Sequence, residues 1–177
     1  MRHQTIGVAI VACCFSMASA QTPAPQNVDR VFHLTQNETA RDLQEMATTL
    51  RSVVDIRQVA SDDTSRTVTV AGTAAQMSMA EWLIHELDVP APTSQPHRFV
   101  VPGMSNDVVR VYFTHAATPQ ALQEIVTTIR SVADVQRIFV YNSLRATVLR
   151  GTAAEVGLTD WLMQKLDQPG QNQAPQE

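Results

Sequence analysis

The chain has 177 residues, of which 44% are hydrophobic and 17% charged, a balance typical of globular rather than disordered proteins. Its net charge is -4 and its only lysine is Lys165, which disfavours binding to nucleic acid or to an anionic membrane surface. The only cysteines, Cys13 and Cys14, lie near the N-terminus. A mature chain without them excludes disulfides, thiol catalysis and cysteine-bound metals.

The N-terminal segment has the features of an export signal. Arg2 precedes an apolar run too short to span a bilayer, and Ala18-Ser19-Ala20 is a small-residue cleavage site. We therefore predict a signal peptide over residues 1–20 and a periplasmic or secreted protein. The alternative is a lipoprotein, because Ile10-Val11-Ala12-Cys13 resembles a lipobox. Only lipidation at Cys13 would then hold the protein at a membrane.

Two long stretches of the sequence repeat at one distance. Ala80 to Pro90 returns as Thr159 to Pro169, 79 residues later. From Thr39 to Pro90, 20 of 52 positions are identical in the second copy, with no gap. The mature chain is therefore predicted to be an internal duplication of two small modules.

Hydrophobic periodicity predicts the same elements in each copy, in the order β-α-β-β-α. The apolar helix stripes fall at Leu43, Met46, Ala47 and Leu50, at Met77, Ala80, Leu83, Ile84 and Leu87, at Leu122, Ile125, Val126 and Ile129, and at Val156, Thr159, Leu162, Met163 and Leu166. Caps are predicted at Thr39, Thr73, Thr118 and Thr152. Strands are predicted over residues 30–34, 53–60, 66–71, 109–113, 134–141 and 144–150, while residues 98–101 form a short apolar segment that the pattern does not place.

This order divides the chain into six regions. They are a signal peptide (1–20), a flexible lead (21–29), a first module (30–90), a linker (91–107), a second module (108–169) and a disordered tail (170–177). The fold class is predicted as α+β, with two helices on one face of a three-stranded sheet in each module. The other face of each sheet is expected to be open, and each module is expected to fold alone.

The end of each copy carries a motif made of a strand, Gly-Thr, a helix and Leu-Asp-x-Pro. It is present as Gly72-Thr73 with Leu87-Asp88-Val89-Pro90, and as Gly151-Thr152 with Leu166-Asp167-Gln168-Pro169. The motif resembles the N-terminal periplasmic (NolW-like) module of bacterial secretins. The resemblance implies a KH-like fold and a place in periplasmic rings that lead to an outer-membrane pore. No β-barrel sequence follows Pro169, so it implies an accessory or orphan relative.

The predicted function is that of an exported, non-enzymatic interaction module in protein secretion or pilus assembly. Its partners would be proteins of the cell envelope, such as a secretin, or further copies of the chain in a ring. The alternative is a secreted or lipid-anchored enzyme or ligand-binding protein whose site forms only on folding. No nucleophile–base pair, phosphate loop, metal-ligand spacing or GXXG loop is recognisable, so no catalytic residue, cofactor, metal or nucleic acid is predicted.

Two duplicated pairs are the candidate interaction residues. Trp82 and Trp161 lie one position off the buried stripe of the last helix in each copy. Each indole either covers its own core or anchors a partner. Arg51 and Arg130 end the first helix of each copy, where they either cap the helix dipole and pair with a nearby aspartate or contact a neighbouring subunit. The aspartate of Leu-Asp-x-Pro is expected to fix the turn after the helix.

Overall fold

The structure is a computed structural model that describes residues 27–36, 39–90, 96–104, 106–116 and 118–168. The predicted signal peptide, the lipobox, most of the lead, the first part of the linker and the tail lie outside the described residues. The first copy contains β1 (Val28–His33), α1 (Ala40–Thr49) with a π-helical turn (Leu50–Val54), β2 (Gln58–Asp62), β3 (Thr67–Gly72) and α2 (Ala74–Leu87). The second contains β4 (His97–Val100), β5 (Asp107–Phe113), α3 (Pro119–Ala133), β6 (Arg137–Tyr141), β7 (Ala146–Thr152) and α4 (Ala153–Leu166).

The strands form two antiparallel sheets, which confirms the predicted α+β class. Sheet A has the order β1-β3-β2, and sheet B has the order β4-β5-β7-β6. Sheet B differs from the predicted three strands because β4 pairs with β5 along Arg98↔Arg110 and Phe99↔Val109. The short apolar segment that the sequence left unplaced is therefore an edge strand, and it lies within the predicted linker.

Local sequence explains where the helices begin. Thr39, Thr73 and Thr152 each make a reciprocal capping box with the residue three positions later. Thr118 caps α3 ahead of Pro119 at its first turn. The four predicted apolar stripes are buried, except that Leu166 is only partly covered.

The strands that follow the first helix of each copy begin later than predicted. In the first copy the helix continues through the π-helical turn, and Asp55 then adopts a left-handed backbone with φ 65. In the second copy α3 runs to Ala133, and Asp134 adopts the same conformation with φ 55. Aspartate tolerates this region better than most residues, so each one ends a helix. The buried Val53 and Val54 complete the helical face instead of starting a strand.

The two copies pack together as four layers: sheet A, the helices α1 and α2, sheet B, and the helices α3 and α4. One core lies between sheets A and B, and a second lies between sheet B and its own helices. Alternation along β5 serves both cores, since Val109 and Val111 face the first and Val108 and Tyr112 face the second.

The shared core corrects the expectation that the far face of each sheet is open. That face of sheet B is covered by the helices of the first copy. No element of the described ranges covers the far face of sheet A, and Val31 on it is 56% exposed. The same packing argues against independent folding of each copy, because Val148 of the second copy belongs to the core of the first.

Candidate interaction surface

The contact between the copies shows how this pair of helices binds a sheet. Trp82 on α2 packs against Phe99 on β4, with ring centroids 5.3 Å apart. Glu45 on α1 is nearly buried and accepts two hydrogen bonds from Asn142, one from the backbone N–H at 2.9 Å and one from the side-chain amide at 3.1 Å. An apolar centre and a satisfied carboxylate at the border therefore hold the layers together.

Asp42 adds a second polar contact at this border. Its carboxylate accepts hydrogen bonds from the Ser143 and Thr39 hydroxyls. Burial alone would raise the pKa of Asp42, but these hydrogen bonds outweigh it, so the pKa lies below its ordinary value. Arg150 also crosses the border and donates to the carbonyl of Val54 at 3.3 Å.

Five helical positions of the first copy face this contact and have counterparts on α3 and α4. They are Glu45, Thr49, Val53, Met79 and Trp82, and their counterparts 79 residues later are Glu124, Thr128, Val132, Leu158 and Trp161. We call the second set the α3/α4 surface. Four of the five pairs are identical and the fifth exchanges Met for Leu. Positions three, four and eight apart on a helix share one face, so each set forms stripes on two neighbouring helices.

The α3/α4 surface is exposed where the first set is buried. Val53 and Met79 are 0% and 1% exposed, whereas Val132 and Leu158 are 54% and 40% exposed. Trp82 is partly buried in the shared core, and Trp161 is 55% exposed. The two tryptophans therefore divide between the two interpretations: Trp82 covers a core, and Trp161 projects from a surface. The role of either in binding stays a prediction.

The duplicated arginines hold the first helix of each copy to the following strand. Arg51 donates to the carbonyl of Val59 at 2.5 Å, and Arg130 donates to the carbonyl of Ile138 at 2.9 Å. Neither contact is the predicted pairing with a nearby aspartate. Arg51 and Arg130 are also exposed to solvent. Their predicted role toward a neighbouring subunit stays a prediction.

The aspartate of the Leu-Asp-x-Pro motif holds a different loop from the one predicted. The Asp88 carboxylate accepts from the backbone N–H of Thr35 at 2.8 Å, and Asp167 accepts from the backbone N–H of His115 at 2.8 Å. In the first copy this contact joins the loop after β1 to the end of α2, and in the second copy it joins the loop after β5 to the end of α4. The aspartate of the motif therefore fixes the end of the last helix of each copy to another part of the same copy.

Sequence reasoning missed a duplicated ion pair, which joins β1 to α2 in the first copy and β5 to α4 in the second. Arg30 lies 2.6 Å from Glu81, and Arg110 lies 3.0 Å from Asp160. The two arginines are 80 residues apart, not 79. The loop that leads from β5 to the cap of α3 is one residue shorter than the loop that leads from β1 to the cap of α1. Aligning the first strands with this shift would have found the pair.

A cleft of about 260 Å³ lies beside Arg110 and is the strongest feature for a ligand-binding alternative. The Tyr112 hydroxyl donates to Asp160 at 2.7 Å, and the buried Arg110 Nε has no hydrogen-bond partner among the described residues. Burial first, and then the bond to Asp160, raise the pKa of Tyr112, so the phenol stays protonated and is no nucleophile. The same arrangement of an arginine and an acidic residue recurs in the first copy, so the Arg110–Asp160 ion pair belongs to the duplicated framework of the module.

The histidines are dispersed over the fold. His33 and His85 are exposed, His97 contacts Glu86, and His115 lies 3.1 Å from Asp167. Within the described ranges, no group of three or more metal-ligating side chains comes together. The helices in this part of the chain are also too short or too polar to cross a lipid bilayer.

The solved structures to which this chain is similar include N-terminal domains of secretins. The N-terminal domain of the secretin XcpQ from Pseudomonas aeruginosa is 13% identical over 81% of this chain, with a TM-score of 0.34. Aeromonas hydrophila ExeD is 16% identical over 85% of this chain, with a TM-score of 0.29. This chain spans 63% of the XcpQ domain and 30% of ExeD. The duplicated motifs resemble the same family.

No family model and no curated protein matches the sequence.

Proposed function

We propose that this chain is an exported, non-enzymatic protein-interaction module, an accessory or orphan relative of secretin periplasmic domains in protein secretion or pilus assembly. The observation that carries the proposal is the α3/α4 surface. The counterparts of its residues in the first copy pack on sheet B, whereas Trp161, Leu158 and Val132 are exposed. Exposed apolar patches of this kind mark sites of association.

The chemistry of the surface suits a protein partner. Tryptophan contributes a large rigid contact area and is enriched at interface hot spots. Glu124 lies at the border of the surface, as Glu45 does in the first copy, and the net charge of -4 offers no field for nucleic acid. The resemblance of the duplicated motifs to secretin modules suggests the periplasm as the setting and envelope proteins as partners.

The test is a comparative pull-down from envelope extracts with wild-type protein and the variant Trp161→Ala. We expect wild type to enrich a secretin or an inner-membrane component of its machine. The variant should bind that component about 2 kcal/mol more weakly, the range of an interface hot spot, with an unchanged thermal melt.

A matched control is Met104→Ala, since Met104 is 53% exposed but lies in the turn between β4 and β5. It should bind as wild type does. Equal recovery of partners by wild type and Trp161→Ala would contradict the assignment of the surface.

A further inference from the structure

We infer that the α3/α4 surface docks the open face of a β-sheet in a partner protein, in the way that α1 and α2 dock on sheet B. This inference rests on the proposed function, since both place binding on the same surface. It adds what kind of structure the partner presents. The first copy already shows this type of contact, because α1 and α2, which share four of these five residues with α3 and α4, pack on sheet B.

The first copy also shows what such a sheet must offer. Aromatic side chains of sheet B, at Phe99, Phe113 and Phe139, pack against the core beneath α1 and α2. Asn142, in the turn after β6, supplies the two donors that satisfy the buried Glu45. Glu124 takes the place of Glu45 on the α3/α4 surface. The partner sheet should therefore have an aromatic and β-branched centre with a turn that presents N–H donors to Glu124.

One difference between the copies gives the partner a charge. Glu86 on α2 contacts His97 at the edge of sheet B. The counterpart of Glu86 is Lys165, the only lysine in the chain. An approaching sheet edge would meet a positive charge there instead of a negative one. The partner should therefore carry an aspartate or glutamate at the position that His97 occupies in sheet B.

A second copy of this chain does not provide such a sheet. The open face of sheet A has His33, Ala60 and Thr69 where sheet B has Phe113, Phe139 and Val148. Val31 is also exposed on this face, but sheet A has no counterpart of β4 and its Phe99. Trp161 and Leu158 would therefore bury little apolar area there. The occupant is therefore a sheet on another protein.

The experiment gives the full chain the sheet face that it lacks. The substitutions His33→Phe, Ala60→Phe and Thr69→Val give sheet A the side chains that β5, β6 and β7 carry at these positions, while the edge strand β4 has no counterpart in sheet A. Wild type should sediment as a monomer. The triple variant should associate head to tail, its sheet A on the α3/α4 surface of the next molecule, with at least a tenfold rise in apparent association constant.

A further substitution in the triple variant then tests whether the α3/α4 surface is the one that binds. Adding Trp161→Asp to the triple variant should return it to a monomer, whereas adding Met104→Asp should not. Association that survives Trp161→Asp would overturn the inference, because it would arise between the new sheet faces. A folded triple variant that stays monomeric would also overturn the inference. So would a wild-type dimer that Trp161→Asp abolishes, because such a dimer would pair two α3/α4 surfaces.

Folding of each variant is checked by thermal melting. The smaller variant Ala60→Phe with Thr69→Val repeats the test if the triple variant does not fold. The pull-down of the proposed function is independent of this result. A partner lost by Trp161→Ala, combined with a monomeric folded graft, would retain the surface and reject a sheet as its occupant.

Discussion

The far faces of the two sheets have the same position in their modules and opposite surroundings. In sheet B, Val148 is 0% exposed beneath the helices of the first copy, whereas its counterpart Thr69 in sheet A is exposed to solvent. The order β1-β3-β2 of sheet A matches the order β5-β7-β6 in sheet B, which adds β4 at its edge, and the helices lie on the same side. A few side chains on one face therefore determine whether a module receives a neighbour or ends the stack.

The largest effect should come from separating the copies. A fragment of residues 96–177 would expose the face of sheet B that carries Val109, Val111 and Val148, all of which are buried in the intact chain. We expect a broad thermal transition and binding of a hydrophobic dye, as for a chain that has lost specific packing. A sharp melt near that of the full chain would show that sheet B is stable without its cover.

A charge on the far face should separate the two sheets clearly. Val148→Asp places a carboxylate in the shared core, and we expect a loss of about 4 kcal/mol or more in the free energy of unfolding. Thr69→Asp places the same group on the open face and should change it by less than about 1 kcal/mol. Urea unfolding of both variants measures the difference, and similar losses would refute the assigned exposure of sheet A.

Shortening an apolar side chain on a helix should give a smaller difference between the two copies, again with the larger loss of stability at the buried position. Met79→Ala removes a side chain that is 1% exposed and should lower the free energy of unfolding by about 2–5 kcal/mol. Leu158→Ala removes its counterpart, which is 40% exposed, and should lower it by less than about 1 kcal/mol. Equal losses in urea unfolding would mean that α4 is covered as α2 is.

The smallest effect should be a pH dependence that comes from Asp42, whose counterpart in the second copy is Ala121. The lowered pKa of Asp42 stabilises the fold above the ordinary value of 3.8, and this contribution is lost as the pH falls through the folded-state pKa. Ser143→Ala removes one of the bonds responsible. It should lower stability at neutral pH, and its difference from wild type should shrink in acid. A constant difference would exclude Asp42 as the source.

Much of the fold followed from the sequence because its signals are local. The capping boxes, the apolar stripes and the duplication itself each depend on residues within one element or on a comparison of the two copies. The displaced strand starts have a different cause. Val53 and Val54 are β-branched and favour a strand by propensity, but tertiary burial keeps them in a helical turn.

The candidate surface was only half predictable because exposure depends on the neighbouring layer. Trp82 and Trp161 have the same place in the repeat, yet one meets sheet B and the other meets solvent. A signal for this difference was present in β7, where Val148 and Leu149 are consecutive and both buried. A strand that is apolar on both faces is typical of a sheet covered on both sides.

The hydrogen bonds between Glu45 and Asn142 join residues 97 positions apart in the sequence. During synthesis, α1 exists long before the turn that satisfies its carboxylate, so the first core cannot close until most of the second copy is available. Non-local closure of this kind slows folding and leaves apolar helical faces uncovered meanwhile. A nascent N-terminal half would therefore remain loosely folded, and for the exported protein proposed above this keeps the chain in a form that can be threaded across a membrane.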